Sequence, residues 1–146
     1  MPQSRGRTIA LATAAAVVLG GAAMTGAAIT TASSEAHRCD STIEAVREVL
    51  DSSAAVVSGQ ERDQLAWETL ANADTDLLWL DTMSCQALAP SLAEAVAATY
   101  AAHVDRRNHL LSGSPMAWIR AQTHLQEAER LLEEAAEELA RSGERP

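Results

Sequence analysis

The chain has 146 residues with 11 basic and 20 acidic side chains, a formal net charge of −9. That length allows one domain, and the acidic balance argues against sequence-independent binding of nucleic acid or docking on anionic lipid. All 11 cations are Arg, there is no Lys and no Phe, and 31 residues are Ala; many Ala with few aromatic and β-branched residues favour helix over sheet.

Arg5 and Arg7 are the only charges before Glu35, and residues 8–34 are rich in Ala, Gly, Val and Thr. A basic start, an apolar run and small residues near a cut form the layout of a secretory signal peptide. Gly26-Ala27-Ala28 and Thr30-Thr31-Ala32 both supply the small residues; cleavage is expected after Ala32, with Ala28 as the alternative. An uncleaved anchor is the competing reading, because the run is long enough to cross a bilayer. Its weak hydrophobicity favours release. Removal of residues 1–32 leaves 114 residues, 33–146, with a formal charge of −11. This domain is expected outside the cytoplasm, secreted or in the cell envelope, with no insertion into the membrane. The absence of Lys fits a GC-rich bacterial genome.

Cys39 and Cys85 are the only cysteines. In an oxidising compartment two cysteines most often pair. The bridge would close a loop of 45 residues, worth about 4 kcal/mol as an upper value on the loop-entropy argument.

Asp40-Ser41-Thr42-Ile43-Glu44 reads as a helix start, with Ser41 and Glu44 spaced as a capping box. Ile43, Val46, Leu50, Ala54 and Val57 follow at helical spacing, and Ser58-Gly59 is a stop. Gln60 to about Ala71 forms a second helix with Leu65, Trp67 and Leu70. Asn72 to Asp76 weakens its pattern, and Leu77-Leu78-Trp79-Leu80 restores it, so one long helix and a broken one both fit. Pro90 is a boundary. Ser91 with Glu94 is another capping box, opening a helix through Leu92, Val96, Tyr100, His103, Val104, Leu110 and Leu111 that stops at Ser112-Gly113.

Ser114-Pro115 opens the last helix as N-cap and first-turn Pro. Trp118, Leu125, Leu132 and Leu139 recur every seven residues, with Ala121, Ala128 and Ala135 between them. Such a seam packs either in the molecule's own core or against another chain, including a second copy. The expected architecture is an all-α, up-down bundle of four helices stapled by one disulfide.

Catalytic signatures are missing: no Gly-x-Ser-x-Gly, His-Glu-x-x-His or phosphate-binding glycine loop occurs. Folding the last two helices about Gly113 sets His103 level with His124 and Arg107 level with Arg120, with Arg106 and His109 nearby. Three Arg and three His thus gather at one end of an acidic chain. They read as ordinary amphipathic side chains pairing with acids, as an anion site beside the Ser114 helix start, or as ligands for a metal or haem. Glu127, Glu129, Glu133, Glu134, Glu137 and Glu138 form an acidic strip on the last helix, a solvated face or a docking strip for a basic partner. Trp67, Trp79 and Trp118 are expected in the core. The function expected is a non-enzymatic, exported protein-interaction or structural module without cofactor or metal. Its partner is another protein or a second copy held by the last helix. The alternative is a small-ligand carrier using the Arg and His cluster.

Overall fold

A computed structural model describes the backbone of residues 8–60 and 62–144 and the side chains of residues 32–60 and 62–144. The helices are α1 (Thr8–Ser58), α2 (Gln64–Leu78), α3 (Ser91–Ser112) and α4 (Pro115–Gly143), with one 3-10 turn at Met83–Cys85. Among the described residues there is no strand. The chain divides into two compact units, Met1–Glu35 and Ala36–Pro146. The first is helical from Thr8; Arg5 and Arg7 lie outside the described residues, as do the side chains of the expected signal segment up to Thr31.

The second unit is a helical bundle. Side chains of α4 reach the end of α1: Trp118 Nε1 donates to Gly59 O (3.0 Å) and Gln122 Nε2 to Val57 O (2.6 Å). Arg62, just before α2, donates to Leu110 O and Leu111 O at the end of α3 (3.1 and 3.3 Å). The end of α4 meets the start of α3, where Ser142 Oγ lies 3.1 Å from Leu88 O. Neighbouring helices therefore alternate in direction.

The core draws Ile43, Val46 and Leu50 from α1, Leu70 from α2, Leu92 and Ala102 from α3, and the seam from α4. Ala121, Ala128 and Ala135 are fully buried, Leu125 and Leu132 are buried, and Trp118 and Leu139 are partly so. The heptad seam thus faces the molecule's own interior. Its Ala positions let helices approach closely, while each buried Leu contributes about 2 kcal/mol.

Two expected helix starts differ, and a third, at Ser91, stands where expected with another cap. No helix begins at Asp40-Ser41: Ser41 Oγ donates back to His37 O (3.0 Å) inside a helix already running. The second helix starts at Gln64 rather than Gln60, because Asp63 supplies the cap and accepts from Ala66 N (2.7 Å); it then runs unbroken through Asp74. Ser91 makes no local capping box. Its backbone N–H and hydroxyl both donate to Glu138 of α4 (2.9 Å each). The carboxylate of a distant helix sits where an N-terminal dipole favours negative charge. The last helix begins as read, with Ser114 accepting from Ala117 N (3.4 Å) and Pro115 in the first turn. Gly113 adopts φ 70 and ends α3 as a left-handed cap, the conformation glycine reaches at least cost. The core expectation fails for Trp79, which is 84 % exposed, and for Trp67, which is 36 % exposed.

Candidate functional site

The Arg and His cluster is built where α1 and α3 end. The last turn of a helix leaves carbonyl oxygens without intrahelical donors and a partial negative charge. Arg106 meets both needs. Its Nε donates to Val56 O (2.7 Å), and its Nη1 donates to Nδ1 of His109 (2.7 Å). A guanidinium only donates, so His109 accepts as the neutral ring. Burial holds the His109 pKa below its ordinary value, helped by the Arg106 and Arg62 charges. With Trp118 and Gln122, Arg106 closes the C-terminus of α1.

The second group centres on Asp74 of α2. His103 is completely buried; its Nδ1 lies 2.6 Å from Asp74 Oδ1 and its Nε2 lies 2.9 Å from Ser53 Oγ of α1. Arg107 donates to Asp74 Oδ2, and Tyr100 OH donates to Asp74 O (3.1 Å). A carboxylate only accepts, so Nδ1 of His103 carries the proton; Nε2 faces the Ser53 hydroxyl, which also reaches Leu50 O (3.3 Å). Burial lowers the His103 pKa, against the opposing pull of Asp74. The polar stretch that interrupts the pattern of α2 is thus the stretch that bonds α2 to α3.

Arg120 and His124 form a third group on Asp105. Arg120 Nε lies 3.1 Å from Asp105 Oδ1 and His124 Nε2 lies 3.5 Å from Oδ2. His103 and His124, which the spacing about Gly113 set level, bond to different carboxylates, Asp74 and Asp105. The six residues thus divide among three sets of partners, Arg106 and His109 with Val56 O, His103 and Arg107 on Asp74, Arg120 and His124 on Asp105. Among the described residues no group of three His, Cys, Asp or Glu is placed to hold a metal ion.

Ser53, His103 and Asp74 reproduce the bonding order of a nucleophilic triad, hydroxyl to imidazole to carboxylate. The accessible end is reversed. Ser53 is completely buried and Asp74 keeps partial exposure, whereas an acyl-transfer nucleophile must meet its substrate. In this geometry the relay joins α1, α2 and α3. Sequence reasoning missed Ser53 and Asp74, because the three partners lie 21 to 50 positions apart and share no motif.

Cys39 and Cys85 are both buried, carry free thiols and lie near one another. Burial, then the Cys85 contact, pushes the Cys39 thiol up to about 12, so it holds little of the reactive thiolate. In the acidic strip, Arg130 pairs with Glu127 and Glu134 (2.7 and 2.8 Å), and Glu138 is occupied by Ser91. Among the described residues no helix is long and apolar enough to cross a membrane. Comparison with known protein families, with curated proteins and with solved structures finds no match to this chain.

Proposed function

We propose that the chain is an exported, non-enzymatic protein-interaction module. Residues 1–32 act as a cleaved signal peptide, and Cys39 and Cys85 close into a disulfide outside the cytoplasm. The observation that carries this reading is the exposure of large apolar side chains where the helices connect. Leu78 and Met83 are 74 % and 78 % exposed beside Trp79 in sequence; Leu65, Leu111 and Met116 are exposed elsewhere. Exposed apolar groups of this size mark protein contact sites when they cluster. The residues of the carrier reading are, by contrast, all engaged within the fold. The nearness of the two buried thiols supports the disulfide.

Native mass spectrometry of the protein recovered from its own culture medium or envelope tests the whole reading. The expected species starts near Ser33, weighs two daltons less than the dithiol, and is found with a second protein but no small ligand. A retained small-molecule mass, lost on His103→Ala or Arg107→Ala, would overturn it in favour of the carrier. A chain held in membranes with residues 1–32 intact would replace export with anchoring.

A further inference from the structure

Leu70, Ala73 and Leu77 turn the inner face of α2 into the bundle. The helical repeat then carries Leu78 and Trp79 off that face. Trp79 and Leu80 line one side of a groove of about 460 Å³, and Ala45, Val49 and Ser52 of α1 line the other. Four of its seven lining residues, Ala45, Val49, Trp79 and Leu80, are apolar. Its charged lining is wholly acidic, Glu48 from α1 and Asp76 from α2. A shallower depression continues along α1 over Asp40, Glu44, Glu48 and Asp51, with Arg47 as its one cation, and Arg47 is already paired with Glu44. An exposed indole thus lies next to a run of carboxylates.

That combination selects a partner by charge. A second copy would bring the same acidic rim against itself, and like charges in contact oppose docking. Nucleic acid and anionic lipid are repelled for the same reason. A segment with apolar side chains on one side and cations on the other satisfies both halves of the surface. We infer that the groove between α1 and α2 is the docking site for a basic, amphipathic segment of a partner protein. An apolar side chain of the partner packs on Trp79 over Val49 and Leu80, and its Arg or Lys residues meet Glu48 and Asp76, then Glu44 and Asp51 along α1. This rests on the interaction reading above and gives the partner its chemistry.

The test titrates the full exported protein with a labelled synthetic helix bearing Arg on one face and Leu on the other, followed by fluorescence anisotropy. Binding is expected to weaken as salt is raised. It should also weaken about tenfold or more in Trp79→Ala, the loss typical of a central aromatic anchor. The double variant Glu48→Gln, Asp76→Asn should weaken it too, while Ile119→Ala, at an exposed position of α4 that does not line the groove, should leave it unchanged. Trp79, Glu48 and Asp76 are themselves exposed, so these variants keep the fold, and circular dichroism checks that they do. Equal binding by a helix with Glu in place of Arg would overturn the proposal, as would affinity unchanged in both groove variants. Dimerisation of the chain abolished by Trp79→Ala would name a second copy as the occupant instead. If the Arg helix fails to bind while native mass spectrometry still finds a protein partner, the groove falls and the interaction module stands.

Discussion

Removing the Asp74 carboxylate strands two donors at once, His103 Nδ1 and Arg107. Buried or half-buried donors without acceptors cost about 1–3 kcal/mol each, so Asp74→Ala is expected to destabilise the protein by about 3 kcal/mol in urea denaturation. Asp74→Asn, which keeps an acceptor oxygen, should lose less. The histidines set the pH dependence. His103 and His109 both have pKa values held below the ordinary one by burial, so the unfolded chain binds protons more readily than the native protein. Their contribution is therefore complete above the unfolded value of about 6.5 and is lost as pH falls below it. The urea midpoint should drop between pH 7.5 and 5.5, and His103→Gln should reduce that slope. A slope unchanged in His103→Gln would remove this residue from the pH response. At this scale the sequence said where cations and histidines concentrate. It did not show what they bond, because backbone carbonyls of Val56 and Val57, a serine and an aspartate leave no trace in spacing.

At the scale of elements, periodicity made α3 and α4 legible: the seam from Trp118 to Leu139 and the stop at Gly113 stand where the pattern puts them. Starts were less legible, because capping patterns recur by chance and compete with partners far along the chain. Ser91 is the clearest case. Its local partner Glu94 yields to Glu138 on α4, and a contact across 47 positions has no local signature. This bond predicts that Glu138→Ala lowers stability by about 1 kcal/mol, the usual value of an N-terminal cap, with hydrogen exchange rising first at the start of α3. A matching substitution at exposed Glu137 should leave those amides unchanged. The broken-or-continuous question in α2 turned on the same point. A polar interruption reads as a loop until its carboxylate finds an imidazole on the next helix.

For the molecule as a whole, composition alone conveyed an all-helical bundle, since so Ala-rich a chain has little else to build. The acidic charge set beside the exposed indole of Trp79 is what the proposed docking of a basic segment rests on. The Asp74 network has a further, kinetic consequence. Ser53 and His103 lie 50 positions apart, and Asp74 and His103 lie 29 apart, so three helices must be docked before these bonds can close. Contacts of that span form after the loops between them have been ordered. Interactions made on the native side of the barrier slow opening far more than they speed assembly. The buried relay thus acts on how long a folded molecule persists before it opens, a lifetime set by the unfolding barrier rather than by the equilibrium alone.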